Sequence, residues 1–353
     1  MISRWPLYFA TASMILCLCV IFMGGWTRIS DSGLGCPDWP GCFGELVLPS
    51  DQSSLSILQE RFPEVLLESY KGWVEMIHRY IAGLLGFLVL GLFFCAIRYR
   101  NILGYPFYSS CFLLALVGIQ GAFGMWTVTM KLLPQIVTLH LIGGLTILSV
   151  IFVIRLKLKK LISNPNFTKT EINSNFKPFI GIGILVLFAQ IALGGWVSTN
   201  YAGYACPGLL DCADNMKVEY DFEAGFTISQ ELGPNYEGGR LPHAARAAIQ
   251  MTHRISAFVV LAYWFILLSL ICISSRQKDK RGKCVHLSGL FVAQVILGYA
   301  TAFYAVPDYL AMAHHVLAVL ILFSVWRLWG SFPERTISQD FDTYDSANCT
   351  SPV

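Results

Sequence analysis

The sequence predicts an all-α integral membrane protein with eight transmembrane helices, arranged as two parallel four-helix bundle repeats. Of its 353 residues, 55% are hydrophobic and only 13% are charged, whereas soluble domains carry about 25% charged residues. Eight apolar runs each approach the roughly 20 residues that a bilayer core requires. They cover approximately 7–25, 77–97, 106–126, 134–156, 178–197, 251–274, 285–305 and 309–329. The net charge of +3 is too small to indicate nucleic-acid binding.

The distribution of basic residues predicts the orientation in the membrane. Most Lys and Arg residues fall in segments that share one side of the bilayer with the N-terminus, so the positive-inside rule places both termini in the cytoplasm. The first apolar run is followed by Gly24-Gly25-Trp26 and not by a small-residue cleavage site. This favours a retained helix over a signal peptide. Because no Arg- and Ser-rich presequence precedes that run, we expect a bacterial inner membrane.

Four features recur in the same order in the two halves of the chain, which indicates an internal duplication. They are a Gly-Trp motif, two cysteines separated by five residues, a His-Arg pair and a later histidine. The first half has them at Gly25-Trp26, Cys36 and Cys42, His78-Arg79 and His140, and the second at Gly195-Trp196, Cys206 and Cys212, His253-Arg254 and His314. Each half contains an even number of helices, so the repeats should be parallel. We predict halves at 1–160 and 178–330, a cytoplasmic linker at 161–177 and a cytoplasmic tail at 331–353.

Four of the seven histidines occupy equivalent places in the repeat. His78, His140, His253 and His314 each lie within about two turns of the outer start of an apolar run, and so should lie at similar depth. Ionisable side chains in membrane helices usually face a bundle interior, where two histidines on facing helices can ligate one heme iron. The natural pairs are His78 with His140 and His253 with His314. Zinc is less favoured because neither pair has a further ligand nearby in sequence apart from Glu75. His315 is the alternative to His314 as fourth ligand, and His243 and His286 lie in or near predicted loops without repeat partners.

Charged residues next to these histidines suggest further roles. Arg79 and Arg254 could pair with heme propionates through their guanidinium groups, or could simply anchor the helices at the interface. Glu75 lies three residues before His78, on the same helix face, whereas the second half has Gln250 there. The carboxylate is a candidate acid, base or stabiliser of positive charge, or a helix N-terminal acid favoured by the macrodipole. The first half is therefore the candidate reaction site.

The outer loops carry the cysteine pairs Cys36–Cys42 and Cys206–Cys212. The outer side of a bacterial inner membrane is oxidising, so both pairs can form disulfides. They either staple the loops or, for Cys36 and Cys42, exchange electrons or thiols with a partner protein. Apolar positions within 51–74, interrupted by Pro63, predict a surface helix that covers the first site like a lid. Residues 213–250 should cover the second site in the same way, but with a less regular structure.

These motifs resemble the heme A synthase family over nearly the whole chain. The resemblance rests on GGWTRISDSGLGCPDWPGC at 24–42, EMIHR at 75–79, TLH at 138–140, the second cysteine pair, THR at 252–254 and the histidine at 314. It implies an oxidoreductase that converts a methyl group of heme O to the formyl group of heme A by oxygen-linked steps. It also implies that His78 and His140 hold the substrate heme with Glu75 assisting, and that His253 and His314 bind the iron of a heme b cofactor.

The resemblance also implies partners: a heme O synthase as supplier and a terminal oxidase as recipient, with an electron donor that is not visible in this sequence. Two other functions are compatible with a two-heme membrane protein. One is a diheme b-type cytochrome that transfers electrons, and the other is a heme exporter or chaperone without chemistry. Of these three functions, only heme A synthesis changes the chemical structure of the bound heme.

Overall fold

The computed structural model describes residues 3–163, 176–206, 208 and 219–332, and this part of the chain is helical, without β-strands. Eight helices are long and apolar enough to cross a membrane, as the sequence predicts. They are α1 (Trp5–Ile29), α3 (Ser69–Tyr99), α4 (Phe107–Thr129), α5 (Pro134–Ser163), α6 (Lys177–Thr199), α8 (His243–Ser274), α9 (Lys278–Phe303) and α10 (Asp308–Gly330). Within the described residues, the short helix α2 (Gln52–Arg61) lies between α1 and α3, and a 3-10 turn at Ala202–Tyr204 and the short helix α7 (Phe222–Gly225) lie between α6 and α8.

Helices α3 and α8 each begin eight residues before the apolar run that predicted them. Hydropathy detects only the part of a helix that suits lipid, whereas the first turns of these two helices carry polar side chains such as Glu75 and Gln250. Both side chains are buried in the protein. His78 and His253 therefore lie roughly two and a half to three turns after their helix starts, although each lies within two turns of the start of its apolar run.

The spanning helices pack as two four-membered rings. Helices α1, α3, α4 and α5 contact one another in that cyclic order, and α6, α8, α9 and α10 do the same. The two rings meet through contacts of α5 with α6, α1 with α10 and α5 with α10. The shared neighbour order supports the duplication, which stays a prediction together with its domain boundaries. The predicted linker begins inside α5, which continues to Ser163, and residues 164–175 and the tail from 333 lie outside the described residues.

The helices bury one apolar core and expose large apolar side chains elsewhere. Trp264 is fully buried and stacks on Phe291, with ring centres 5.4 Å apart. Phe87 and Leu185 are more than two-thirds exposed, as expected for side chains that contact lipid. The core therefore holds the bundle together while the outer faces match the bilayer.

The predicted surface helix over 51–74 is present only in part. Asp51 caps α2 by accepting a hydrogen bond from the Ser54 amide at 2.8 Å, and hydrogen bonds from Ser54 and then Ser53 lower the pKa of Asp51 to about 2. The helix ends at Arg61, before Pro63, and residues 69–74 already belong to α3. In the second half, the described part of 213–250 forms only α7 before α8 begins.

An apolar cluster joins α2 to the outer end of α3. It consists of Cys36, Cys42, Phe43, Leu48, Leu58 and Met76, and we call it the outer cluster. Met76 lies two residues before His78, so the outer cluster covers the end of α3 next to that histidine. Its role as a lid stays a prediction.

Candidate heme-binding site

The four repeat-related histidines line one cavity. His78 on α3, His140 on α5, His253 on α8 and His314 on α10 all face a cavity of about 470 Å³ that extends between the two helix rings. Ligand pockets usually measure about 300–1,000 Å³. The space is therefore suited to an organic ligand and is much larger than a single ion needs.

The first pair of histidines has the separation that a shared metal requires. The ring centres of His78 and His140 are 6.5 Å apart and the ring planes are nearly perpendicular, at 76°. A metal–imidazole bond is about 2 Å long, so one metal bound to both rings would hold their centres about 6 Å apart. Within the described residues, no group of three or more His, Cys, Asp or Glu side chains could hold an ion. Paired imidazoles therefore fit a metal that brings its other ligands with it, as heme iron does.

Each of these histidines packs against a glycine of the neighbouring helix. A Cβ atom built on the glycine would lie 3.0 Å from Cε1 of His78 at Gly24, 3.3 Å from His140 at Gly124, 3.1 Å from His253 at Gly194 and 2.7 Å from His314 at Gly298. Gly24 and Gly194 share the repeat register, as do Gly124 and Gly298. Close helix contact at small residues is typical of membrane bundles. Here it makes room for an imidazole ring at four equivalent places.

Several ring nitrogens are buried without a protein partner, which also fits ligation. Nδ1 of His78, His140 and His314 has no hydrogen-bond partner within the described parts of the chain. A buried polar atom that lacks a hydrogen bond costs free energy, so unpaired nitrogens at a cavity wall indicate an absent ligand. The first pair of histidines therefore fits a heme, and the second pair presents the same residue types to the same cavity.

His315, the alternative to His314, has a different environment. Its ring packs against Gly25 of α1, and its Nε2 lies 3.4 Å from the backbone oxygen of Ile21. His314 instead packs on Gly298 in the register that His140 and Gly124 share. These contacts favour His314 as the fourth ligand, although His315 also lines the cavity.

Glu75 is buried but is not among the cavity-lining residues of the described chain. One carboxylate oxygen accepts a hydrogen bond from the Cys36 amide at 3.0 Å, and the other pairs with Arg79. Arg79 also donates to the backbone oxygens of Asp38 and Pro40, both at 3.1 Å. Glu75 and Arg79 thus tie the cysteine loop to α3, and the predicted contact of Arg79 with a propionate stays untested.

Arg254 has a similar position in the second half. It donates to the backbone oxygens of Cys206 and Gly208, and unlike Arg79 it lines the cavity. Gln250, the counterpart of Glu75, is also buried and lines the cavity. Between the two arginines, only Arg254 is thus placed to reach a carboxylate inside the cavity.

Sequence reasoning missed a polar cluster that joins the two halves at the cavity wall. Arg28 at the end of α1 donates to Asp31 at 3.0 Å, to the Tyr201 hydroxyl at 3.1 Å and to the backbone oxygen of Ser198 at 2.5 Å. Its guanidinium also lies 4.2 Å from the centre of the Tyr201 ring. All four residues line the cavity. One feature of the sequence could have indicated this cluster: Arg28 has no basic counterpart in the second half, where Ser198 occupies the equivalent position.

The first predicted cysteine pair is at bonding distance. The sulfur atoms of Cys36 and Cys42 are 2.01 Å apart and both residues are fully buried in the outer cluster. Cys206 is buried as well, but Cys212 lies outside the described residues, so the second pair stays a prediction.

Replacing Cys36 and Cys42 together by serine is expected to destabilise the first outer loop by about 2 kcal/mol, the chain-entropy value for so short a loop. Thermal unfolding of the purified protein in detergent should begin at a lower temperature. Cys19→Ser, at an exposed site on α1, is the control and should leave the transition unchanged. An unchanged transition in the double variant would show that the pair does not staple the loop.

Comparison with known proteins assigns almost the whole chain to one family. Residues 7–326 match the family described as "Cytochrome oxidase assembly protein", and this range contains all four cavity histidines and most of the eight spanning helices. The chain belongs to this family. Among its relatives, a protein of Shewanella oneidensis named "Heme A synthase" is 37% identical over 313 residues, which cover 89% of this chain and 92% of that protein.

More distant relatives carry the same name. A "Heme A synthase" of Rhizorhabdus wittichii is 27% identical over 351 residues, covering 93% of this chain and 92% of the relative. A "Heme A synthase" of a Caulobacter species is 26% identical over 338 residues, which cover 89% of this chain and 93% of the relative. The family membership therefore extends over both halves and is not confined to one bundle.

Proposed function

We propose that this protein is a heme A synthase, an oxidoreductase that converts a methyl group of heme O to the formyl group of heme A for terminal oxidase assembly. The observation that carries the proposal is the arrangement of four repeat-related histidines around one cavity, in a chain whose relatives bear that name. Composition and family membership alone would leave the reacting half of the protein undefined.

In this proposal the two halves have different tasks. His78 and His140 hold the substrate, heme O, and their 6.5 Å ring separation suits a single shared iron. His253 and His314 would hold a heme b cofactor. When bound, that cofactor supplies one-electron transfer through its iron. Arg254, which lines the cavity, is the proposed partner of a cofactor propionate, and Arg79 keeps that proposed role for the substrate.

The chain's own residues position the substrate and exclude water. Apolar side chains such as Leu141, Ile191 and Phe258 line the cavity, and the outer cluster covers the end of α3 beside His78. Shielding of this kind protects a reactive site from water and strengthens electrostatic interactions inside it. The apolar lining also matches the hydrocarbon periphery of a heme.

Glu75 is the proposed catalytic residue, because it places a carboxyl group one helical turn before His78, where the second half has Gln250. Its carboxylate is held by Arg79 and the Cys36 amide. Glu75 does not line the described cavity, so in this proposal it stabilises positive charge at the substrate through the cavity wall, and it keeps the loop that carries Cys36 docked on α3. Gln250 cannot supply that charge in the second half.

We further propose that the protein spans a bacterial inner membrane with both termini in the cytoplasm, as the distribution of Lys and Arg indicates. Heme O would come from a heme O synthase and the product would pass to a terminal oxidase. An electron donor is required in addition. The pair Cys36 and Cys42 is a possible contact for a thiol-redox partner on the outer side.

Identification of the extracted hemes tests the proposed function. We expect the protein, purified from cells that supply heme O, to contain heme A and heme B. Cells that lack this protein but supply heme O should contain no heme A. If only unaltered heme is extracted, the protein is a diheme cytochrome or a heme carrier, and heme release to an acceptor without conversion would favour the carrier.

A further inference from the structure

Arg28 is the arginine that the first half presents to the cavity. Among the lining residues that the structure describes, Arg28 and Arg254 are the two arginines, and no lysine joins them. Arg254 belongs to the second half. Arg79 instead contacts Glu75 and backbone oxygens of the cysteine loop. Arg28 is therefore the cation best placed to meet a negatively charged group in the first half of the cavity.

Arg28 lies on the stripe of α1 that faces His78. Val20, Gly24 and Arg28 follow one another at intervals of four residues, and all three line the cavity. Residues four apart share one face of a helix, and the His78 ring packs on Gly24. Arg28 thus lies about 6 Å further along the helix axis than the point where α1 contacts this proposed iron ligand.

The guanidinium of Arg28 has donors to spare. Its terminal nitrogens make three hydrogen bonds, to Asp31, to Tyr201 and to the backbone oxygen of Ser198. An arginine has five N–H donors in a planar fork, so two donors remain within the part of the chain that the structure describes. Carboxylates and phosphates match such a fork, and of these two groups a heme carries carboxylates.

The partners of Arg28 are counterparts in the predicted repeat. Ser198 is the equivalent of Arg28 and Tyr201 is the equivalent of Asp31, each 170 residues later. Asp31 and Tyr201 share a left-handed backbone conformation, with φ of 46° and 51°, which is rare for a bulky residue and is concentrated at functional sites. The second half thus repeats the turn but has serine in place of the arginine.

We propose that Arg28 binds a propionate carboxylate of the substrate heme, and that Asp31 limits the strength of this contact. This inference rests on the proposed function. Ionised groups are costly inside a membrane, so a heme held by His78 and His140 should turn its carboxylates toward the nearer membrane surface, where α1 ends at Arg28 and Ile29. A heme has two propionates, so this contact adds to the one proposed for Arg79.

Asp31 competes with the ligand for the same guanidinium. It accepts from Arg28 at 3.0 Å and from the Tyr201 hydroxyl at 2.9 Å, and it also lines the cavity. Its negative charge repels a propionate that approaches Arg28. Removal of that charge should therefore strengthen the binding of the substrate, whereas removal of the arginine should weaken it.

An esterified heme tests the inference, because the dimethyl ester keeps the ring and the iron but has no carboxylate charge. The full-length protein is purified from cells that make no heme O and is titrated in detergent with ferric heme B or with its dimethyl ester, and binding is followed by absorbance. Titration of His78→Ala identifies the signal of the first site, which that variant should lack. The wild-type first site should bind the free acid at least about 10-fold more tightly than the ester.

Arg28→Gln should weaken binding of the free acid about 10- to 100-fold, the range for hydrogen bonds to charged groups, and change binding of the ester less than about twofold. A purely structural role of Arg28 would weaken both ligands equally. Asp31→Asn should act in the opposite direction. Asparagine tolerates positive φ and keeps an oxygen for Arg28 and Tyr201, so the free acid should bind about two- to fivefold more tightly.

Arg61→Gln is the control, because Arg61 pairs with Glu45, is 54% exposed and lies outside the set of cavity-lining residues described. It removes the same charge from the first half and should leave both affinities unchanged. An equal loss for both ligands in Arg28→Gln, or a preference for the free acid within twofold of the wild type, would overturn the inference.

Asp31→Asn decides alone if Arg28→Gln does not accumulate. Binding of the free acid that is unchanged or weaker in Asp31→Asn would then overturn the inference. A preference for the free acid that depends on Arg28, in a protein that forms no heme A, would support the inference while contradicting the proposed function.

Discussion

Alanine at His78 or at His253 is expected to remove one heme from the protein and leave the other. Loss of a group that hydrogen-bonds to a metal ligand lowers metal affinity 10- to 100-fold, so loss of the ligand itself should lower it more than about 100-fold. His78→Ala should retain heme B and form no heme A, whereas His253→Ala should lose heme B. The heme content of the purified variants, measured by extraction and by absorbance, checks both outcomes.

Two controls use histidines that the structure places elsewhere. His243 and His286 are exposed and lie outside the described cavity lining, so His243→Ala and His286→Ala should keep both hemes. His315→Ala should also keep both, whereas His314→Ala should lose heme B. Wild-type heme content in His78→Ala and His253→Ala would contradict the assignment of ligands to the two halves.

Alanine at Glu75 is expected to have the largest effect on stability. The Glu75 and Arg79 side chains are only 5% and 13% exposed, and removal of one member of a buried ion pair costs about 3–5 kcal/mol because the other charge is left without its partner. The Cys36 amide, which donates to Glu75, should then exchange its hydrogen at least about 100-fold faster. Hydrogen exchange followed by mass spectrometry measures this change.

The neutral variant Glu75→Gln removes the charge but keeps an acceptor for hydrogen bonds. Its amide oxygen can still accept from the Cys36 amide or from Arg79, so hydrogen exchange at Cys36 should be slower than in Glu75→Ala, although faster than in the wild type, and both hemes should be retained. Heme A formation should nevertheless be lost, because the charge is absent. Full conversion in this variant would contradict the catalytic role that we propose for Glu75.

Glu68→Gln is the control for the stability effect. Glu68 pairs with Lys71 at 2.9 Å near the start of the same helix, but its side chain is 47% exposed. Exposed ion pairs contribute about 0–1 kcal/mol. This variant should therefore leave hydrogen exchange at Cys36 and the heme content unchanged, and an effect as large as that of Glu75→Ala would show that burial is not the cause.

The spanning helices could be predicted because one physical requirement determines them: a bilayer core accepts only long apolar helices. The same rule misplaced the starts of α3 and α8, because their first turns carry polar groups that the outer loops cover. The four histidines could be proposed as a set because they recur at equivalent positions of the predicted repeat. The ring centres of His78 and His140 are 6.5 Å apart, which is compatible with the predicted pairing.

Contacts between distant residues could not be predicted in the same way. The residue order suggested either a heme propionate or the membrane interface as the partner of Arg79, and it did not reveal that Arg79 donates to backbone oxygens of the cysteine loop about forty positions earlier in the chain. Arg28 reaches Ser198 and Tyr201 across the boundary between the halves. Periodicity gives the face of a helix on which a residue lies, but not which group of a neighbouring segment meets it.

The sequence by itself determined the eight spans, which follow from hydropathy, and it predicted the duplication and the four imidazoles from residue identity at repeated positions. Only the tertiary structure decided which groups contact each ring. Gln120 and Gln294 are equivalent in sequence and both donate to the backbone oxygen of a histidine, yet of the two only Gln294 also lies within 3.2 Å of an imidazole nitrogen. The reason is that a hydrogen bond depends on distances of a few tenths of an ångström, which helix packing sets and residue order does not.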